Sequence, residues 1–186
     1  MSGPVEVFHG SQHGPDPGRH SELDQDSPGV PGEKEEHSQF GTALDAGDAN
    51  GDGYADVAVG TPVEADDGGG EKGKSTVTVL HGGSKGLTGR GARVAEEPSS
   101  SAEAPRDSGE TIGNRFGDAV RMGDTNGDGK ADLAIGAPRT EGFAGALWIY
   151  PAQQEGWPAG AARSYGPRDF GDPKAPDDEE IGASVR

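Results

Sequence analysis

Residues 40–62 read FGTALDAGDANGDGYADVAVGTP, and residues 116–138 read FGDAVRMGDTNGDGKADLAIGAP. The two stretches are offset by 76 residues, and 14 of their 23 aligned positions are identical. Most mismatches are conservative, such as Val57 with Leu133 and Val59 with Ile135. Identity at this level and at a fixed offset indicates a true internal repeat, and the repeat decides the fold.

A second pattern recurs around these two copies. Residues 5–14 (VEVFHGSQHG), 77–86 (VTVLHGGSKG) and 147–156 (LWIYPAQQEG) each give an alternating apolar run, a polar turn and a glycine, at spacings of 72 and 70 residues. Residues 181–185 (IGASV) look like the opening of a third copy of the first pattern. The chain therefore alternates two kinds of segment along its whole length.

Each complete unit is predicted to contain four short strands, because β-branched alternating runs are separated by glycine-rich turns. The predicted strands lie near residues 40–44, 56–59, 76–80 and 92–95 in the first unit and near residues 116–121, 132–135, 146–150 and 161–165 in the second. Four-stranded units with few large side chains must stack on neighbouring units, as the blades of a β-propeller do. We predict an all-β fold, a β-propeller segment of about two complete four-stranded blades with partial blades at both ends.

The repeat divides the chain into four parts. The predicted parts are a partial blade holding strands three and four with a linker (1–36), a blade with an acidic loop at 48–56 (37–110), a blade with an acidic loop at 124–132 (111–180) and the start of a next blade (181–186). Connecting stretches rich in Pro, Gly, Ser and acidic residues are predicted to be disordered. These are residues 15–36, 64–74, 97–110 and 166–180.

Composition excludes several functions. With 16 basic and 33 acidic residues the net charge is −17, so nucleic acids and anionic membrane surfaces are poor partners, whereas hard cations are suitable ones. The chain has no cysteine, which excludes zinc–thiolate sites, iron–sulfur clusters and thiol catalysis. No apolar run is long enough to insert into a membrane, and the first residues, MSGPVEVFHGSQHG, do not read as a signal peptide.

The same acidic loop occurs in both copies, with oxygen-bearing side chains at loop positions 1, 3, 5 and 9. Position 6 is glycine, where a sharp turn needs positive φ, and position 7 would contribute its main-chain carbonyl. Three carboxylates, an amide and a carbonyl suit Ca²⁺, and Mg²⁺ is the second choice because it prefers fewer protein ligands. The candidate metal residues are Asp48, Asn50, Asp52, Tyr54 and Asp56 in the first loop and Asp124, Asn126, Asp128, Lys130 and Asp132 in the second.

Other loops of this kind fit less well. An EF-hand requires a glutamate at position 12 and flanking helices, but position 12 is Val59 or Ile135 within a β-patterned run. A dockerin loop would also be followed by a helix. The alternative without metal is a pair of solvated turns, since Asn-Gly and Asp-Gly are ordinary turn formers.

The residues Phe40-Gly41 with Gly60-Thr61-Pro62, and Phe116-Gly117 with Gly136-Ala137-Pro138, resemble the FG-GAP repeat. This repeat builds the amino-terminal propeller of integrin α subunits and occurs in many bacterial exported proteins. The resemblance implies a propeller that usually has seven blades, with Ca²⁺ bound by the acidic loop at the outer edge of a blade. It assigns the ten candidate residues above as ligands of two Ca²⁺ ions.

From this resemblance we expect a non-enzymatic protein that acts in recognition or adhesion outside the cell or at its surface. Its partner would be a protein or glycan ligand, with no nucleic acid and no membrane insertion, and further blades would lie outside this chain. Two alternatives remain open: an accessory propeller region of a larger secreted hydrolase, or a truncated fragment without function. Propellers serve too many functions for the fold to decide among these.

Overall fold

The structure is a computed structural model that describes residues 3–32, 34, 38–63, 74–96, 98, 104–105, 111–112, 114–140, 145–152, 162–170 and 181–184. Within these ranges the regular secondary structure is almost entirely β. The strands are β1 (Val5–Ser11), β2 (Gly14–Leu23), β3 (Leu44–Gly47), β4 (Asp56–Thr61), β5 (Thr76–His81), β6 (Thr88–Glu96), β7 (Ala104–Pro105), β8 (Thr111–Ile112), β9 (Ala119–Gly123), β10 (Asp132–Ala137), β11 (Ala146–Tyr150) and β12 (Arg163–Tyr165). A single-turn 3-10 helix, Pro167–Phe170, follows β12, and no helix in these ranges has the length and apolarity needed to cross a membrane.

Two antiparallel four-stranded sheets form the centre of the structure. The first has the order β3-β4-β5-β6 and the second the order β9-β10-β11-β12, so each strand pairs with its neighbour in sequence. The second strand lies between the first and third in both sheets, as the pairs Val57 with Leu80 and Leu133 with Tyr150 show. Two meandering four-stranded sheets side by side are the arrangement of adjacent propeller blades. The predicted fold class is confirmed.

The hairpin of β1 and β2 repeats the geometry of β5 and β6. Both hairpins have an irregularity in register after the fourth strand residue, between Phe8 and His9 in one and between Val79 and His81 in the other. The prediction of disorder over residues 15–36 was therefore wrong for residues 15–23, because they belong to β2, which pairs with β1. The main-chain hydrogen bonds of β2 to the strand just before it do not depend on the polar side-chain composition that suggested disorder.

The first strand of each sheet begins later than the sequence predicted. Residues 40–44 and 116–121 were predicted as strands, but β3 begins at Leu44 and β9 at Ala119. Gly41 and Gly117 both have φ of +88°, which places the Phe-Gly pairs in turns. Each of these glycines donates its N–H across the turn to a main-chain carbonyl of its own repeat, at 3.1 Å and 3.0 Å.

The last predicted strand agrees only partly with the structure, and most of three predicted linkers lies outside the described residues. The last strand was predicted at residues 161–165 and begins at Arg163. The predicted linkers 64–74, 97–110 and 166–180 lie largely outside the described residues. Within them the structure describes β7, which pairs with β8, and the 3-10 helix.

Apolar side chains cover both faces of the first sheet. On one face, Ala58, Val77 and Val79 belong to the cluster that also contains Phe116, Leu133, Ile135, Trp148 and Tyr150 of the second repeat. On the other face, Val59 and Leu80 pack with Val5, Val30 and Phe40. The first sheet is thus enclosed between the β1–β2 hairpin and the second sheet, which is the position of a blade between two neighbours.

The end of the described chain repeats the blade boundary. Gly182 has φ of +88°, equal to that of Gly117, and its main chain packs on Gly136 as that of Gly117 packs on Gly60. Residues 181–184 therefore adopt the same turn as the openings of the two full repeats.

Candidate functional site

The two acidic loops connect the first and second strands of their sheets. In loop 1 (residues 48–56), Asp48 Oδ1 accepts the N–H of Gly51 at 2.7 Å and of Asp52 at 3.1 Å, and its Oδ2 accepts that of Gly53 at 2.8 Å. Gly51 and Gly53 have φ of +78° and +87°, so the chain curls around the carboxylate. One aspartate thereby fixes the whole first half of the loop.

Loop 2 (residues 124–132) has the same conformation. Asp124 accepts N–H groups from Gly127 at 2.6 Å, Asp128 at 3.1 Å and Gly129 at 2.9 Å. The hydrogen bond from Gly129 is the largest cause that lowers the pKa of Asp124 below 3.8, with further lowering from the N–H groups of Gly127 and Asp128. The carboxylate is therefore held in the charged form that a cation requires.

The last aspartate of each loop is buried and anchors the loop to the sheet. Asp56 is 0% exposed, and it accepts the N–H of Ala49 at 3.1 Å and that of Gly82 at 2.9 Å. His81 Nδ1 also lies 3.2 Å from Asp56 Oδ1. These contacts connect the start of the loop to the residues just after β5.

Asp132 anchors loop 2 in the way that Asp56 anchors loop 1, but some of its hydrogen-bond partners differ. Asp132 is 1% exposed and accepts the N–H groups of Thr125 at 3.0 Å and Ala152 at 2.8 Å, together with the hydroxyl of Thr125. Pro151 stands where the first repeat has His81, so a ring nitrogen contact is replaced by the threonine hydroxyl. The sequence predicted both aspartates as ligands but did not reveal this anchoring role.

The middle positions of both loops face solvent. Asn50 and Asn126 accept N–H groups two residues ahead, both at 2.8 Å, and Asp52 and Asp128 do the same at 2.9 Å. Tyr54 and Lys130 occupy position 7 in each loop. Within the described residues, no three His, Asp or Glu side chains are arranged as a group that could hold a metal ion.

The donor chemistry of each loop nevertheless fits a hard cation. A carboxylate has about four lone-pair sites, and the main-chain N–H groups use only part of them. The oxygens of Asp48, Asn50 and Asp52 remain near one another on a loop of nine residues, and an ion held there would offset their mutual repulsion. The assignment of the ten ligands stays a prediction.

The loops lie next to each other on adjacent sheets. Ala131 of loop 2 donates its N–H to the carbonyl oxygen of Asp48 in loop 1 at 2.8 Å. The aliphatic part of Lys130 lies over loop 1, where a Cβ added to Gly51 would be 3.3 Å from Lys130 Cε. Two equivalent acidic loops are therefore joined by a direct main-chain hydrogen bond.

A further link between the repeats was not identified from the sequence. Asp45 Oδ2 accepts the N–H of Met122 at 2.7 Å and lies 3.6 Å from Arg121 Nε. Asp45 and Arg121 are separated by the repeat offset, so equivalent positions carry opposite charges. The opposite charges at these two equivalent positions were the sequence feature that could have predicted a contact between the two units.

Comparison with known proteins identifies the repeat. Residues 40–80 and 116–150 match the FG-GAP repeat family, and the chain carries two FG-GAP repeats. It is 37% identical over 118 residues to integrin alpha-PS3 of Drosophila melanogaster and 35% identical over 127 residues to integrin alpha-4 of Xenopus laevis. It is also 32% identical over 124 residues to phosphatidylinositol-glycan-specific phospholipase D of Bos taurus.

These matches cover 62%, 67% and 64% of this chain but only 9%, 11% and 14% of the respective relatives. The chain thus corresponds to a small part of each relative. Both matched FG-GAP segments contain the acidic loop, the turn formed by Phe and Gly, and the two following strands.

Proposed function

We propose that this chain is a calcium-binding segment of an FG-GAP β-propeller with two Ca²⁺ sites. The observation that supports the proposal is the identical fold of the two loops. In each, an aspartate at position 1 accepts three main-chain N–H groups, and the exposed oxygens at positions 3 and 5 stay close by. An accidental turn would not be expected to recur in this detail at equivalent places in adjacent blades.

The ligands of the first ion would be Asp48, Asn50, Asp52, Asp56 and the carbonyl of Tyr54. Those of the second would be Asp124, Asn126, Asp128, Asp132 and the carbonyl of Lys130. Bound Ca²⁺ would neutralise the carboxylates and stabilise the connection between the first two strands of each blade. A five-residue oxygen set favours Ca²⁺, which accepts six to eight oxygens, over the stricter octahedral Mg²⁺.

For the biological role we propose recognition or adhesion outside the cell or at its surface, without catalysis. The matches to integrin alpha chains support this role, and the ligand would be a protein or a glycan. The acidic surface, with a net charge of −17, disfavours nucleic acid and anionic membranes as partners.

A second candidate is supported by a different comparison. The match to phosphatidylinositol-glycan-specific phospholipase D is consistent with an accessory propeller region of a larger secreted hydrolase. This candidate differs from the first in requiring a catalytic domain in the same polypeptide. Both candidates retain the two calcium loops.

Thermal unfolding tests the calcium sites. The melting temperature is measured after EDTA treatment and then with added Ca²⁺ or Mg²⁺, for the wild-type chain and for Asp52→Ala and Asp128→Ala. A ligand at 100 times its Kd stabilises the folded state by about 2.7 kcal/mol, so Ca²⁺ should raise the wild-type melting temperature clearly. Each variant should retain part of this rise, and equal effects of Ca²⁺ on the wild type and the double variant would contradict the assignment.

A further inference from the structure

The first repeat holds loop 2 at both of its ends. Met122, two residues before loop 2, donates its N–H to Asp45 Oδ2 at 2.7 Å. Ala131, the eighth residue of loop 2, donates its N–H to the carbonyl oxygen of Asp48 at 2.8 Å. Asp45 lies in β3, and Asp48 is the first residue of loop 1. One short segment of the first repeat therefore accepts a hydrogen bond from each end of loop 2.

The hydrogen bond from Ala131 joins groups that belong to both proposed calcium sites. The N–H of Ala131 and the carbonyl of Lys130 are parts of one planar peptide unit. The carbonyl of Lys130 is the main-chain ligand proposed for the second ion. On the other side of the bond, the carboxylate of Asp48 is a ligand proposed for the first ion, and it is held by three N–H groups of loop 1. A single peptide unit thus connects the two sites.

The side chain of Lys130 makes a second contact between the loops. A Cβ added to Gly51 would lie 3.3 Å from Lys130 Cε and 3.7 Å from Lys130 Cγ. Lys130 is accordingly partly buried, whereas Tyr54, at the same position of loop 1, is 45% exposed. Gly51 stands between Asn50 and Asp52, two further ligands proposed for the first ion. Position 7 of loop 2 is therefore fixed against the middle of loop 1.

We propose that the two loops bind Ca²⁺ with positive coupling, so that an ion in either loop raises the affinity of the other. This inference rests on the calcium sites proposed above. Ligation by Asp48 in loop 1 fixes the residue whose carbonyl accepts the shared hydrogen bond. Ligation by the Lys130 carbonyl in loop 2 fixes the peptide unit that donates it. The loop that is filled first therefore orders part of the contact for the other loop, and the entropy of ordering this contact is lost only once.

Repulsion between two bound cations acts against this coupling but is weak here. Each loop contains three aspartates, so a loop that holds one Ca²⁺ retains one net negative charge. The middle positions of both loops face solvent, where water and salt screen charges. A filled loop does not repel the ion of its neighbour, and the ordering of the shared contact decides the sign of the coupling.

Gly47→Ala separates the loops without changing a proposed ligand. Gly47 directly precedes Asp48, and a Cβ at this position would lie 2.6 Å from Ala131 Cβ, so the added methyl group pushes Ala131 away from loop 1. Gly123→Ala is the matched control, because Gly123 has the same place in the second repeat and its added Cβ would meet nothing within 4 Å.

Calorimetric titration of the EDTA-treated full chain with Ca²⁺ measures the coupling. Asp128→Ala and Asp52→Ala give the association constants of loop 1 alone and of loop 2 alone. We expect the product of the two stepwise constants of the unmodified chain to exceed the product of these single-loop constants about fivefold or more. The same three titrations with Gly123→Ala added should give the same factor, and with Gly47→Ala added the factor should fall to about one.

Hydrogen exchange at the Ala131 amide provides a measurement that does not require Gly47→Ala to fold. In the Asp128→Ala variant only loop 1 binds Ca²⁺, yet exchange at Ala131 of loop 2 should slow about fivefold or more when Ca²⁺ is added. Unchanged exchange at Ala131, a factor of one in the unmodified chain, or an undiminished factor with Gly47→Ala would overturn the coupling and leave the calcium sites intact. No Ca²⁺ binding by the unmodified chain would overturn the proposed sites together with the coupling.

Discussion

Gly60 and Gly117 touch backbone to backbone across the boundary between the two FG-GAP repeats. A Cβ on Gly60 would overlap the carbonyl oxygen of Gly117, and Gly136 has the same relation to Gly182 at the next boundary. The glycine next to the end of the second strand in each repeat therefore leaves room for the Phe-Gly turn, or its Ile-Gly equivalent, of the following unit. The glycines of the repeat motif are therefore required for adjacent blades to pack closely.

Gly60→Ala should destabilise the chain strongly. The overlap is with main-chain atoms rather than with a flexible side chain, so the two blades must separate to relieve it. We expect a loss of about 3 kcal/mol or more in the free energy of unfolding, measured by urea denaturation. A loss below about 0.5 kcal/mol would show that the blades do not pack as described.

Gly47 and Gly123 offer a matched pair at equivalent repeat positions. A Cβ on Gly47 would lie 2.6 Å from Ala131 Cβ and 3.1 Å from Met122 Cβ, whereas one on Gly123 would meet nothing within 4 Å. Gly47→Ala should cost about 1–3 kcal/mol of stability, and Gly123→Ala should be close to neutral. Equal effects in urea denaturation would contradict the assigned contact between the two sheets.

The two aspartates of loop 1 should differ in the absence of metal. In EDTA, Asp56→Ala should lower the free energy of unfolding by about 3 kcal/mol, because the N–H groups of Ala49 and Gly82 lose their buried acceptor. Asp52→Ala should change it by less than about 1 kcal/mol, since Asp52 is exposed and the two N–H groups that it accepts, from Tyr54 and from the Asn50 side chain, can bond to water instead. Thermal and urea unfolding of both variants measure this contrast. Similar losses of unfolding free energy in the two variants would contradict the different roles given to Asp56 and Asp52.

Tyr150→Phe should preserve or raise stability. The Tyr150 hydroxyl is buried and has no hydrogen-bond partner in the described structure, so its removal should stabilise the fold by up to about 1 kcal/mol. Burial raises the pKa of Tyr150 from 10.0 to about 12. The unfolded chain therefore ionises first, and stability should fall as the pH rises from 10 to about 12.

The Tyr150→Phe variant should lose this component of the pH dependence. Urea denaturation at pH 8 and pH 11 gives the free energy of unfolding of the wild type and of the variant at each pH. Both proteins keep the other two tyrosines, so the contribution of those tyrosines to the pH dependence is the same in the two proteins. If the free energy of unfolding fell equally with pH in the wild type and in Tyr150→Phe, groups other than Tyr150 would cause the destabilisation at alkaline pH.

The sequence was sufficient to predict the blade order and the loops because their signals are local. The alternating strand pattern gave β4, β5, β10 and β11 closely, and positive φ at Gly53 and Gly129 was expected from loop position 6. The link from Asp45 to Met122 joins residues 77 positions apart, which no local pattern encodes. The Phe-Gly pairs resembled strand starts because an apolar residue opens each alternating run. Positive φ at Gly41 and Gly117 instead places them in turns, and Phe40 and Phe116 are buried in clusters that join neighbouring units.

Calorimetric titration of the EDTA-treated chain with Ca²⁺ tests the central claim most directly. The account predicts two ions bound per chain, with Kd around 10⁻⁴–10⁻³ M as in extracellular calcium modules. Asp52→Ala and Asp128→Ala should each leave one ion, and the double variant should bind none. Absence of binding at several millimolar Ca²⁺, or two ions still bound by the double variant, would contradict the assignment of the FG-GAP loops as calcium sites.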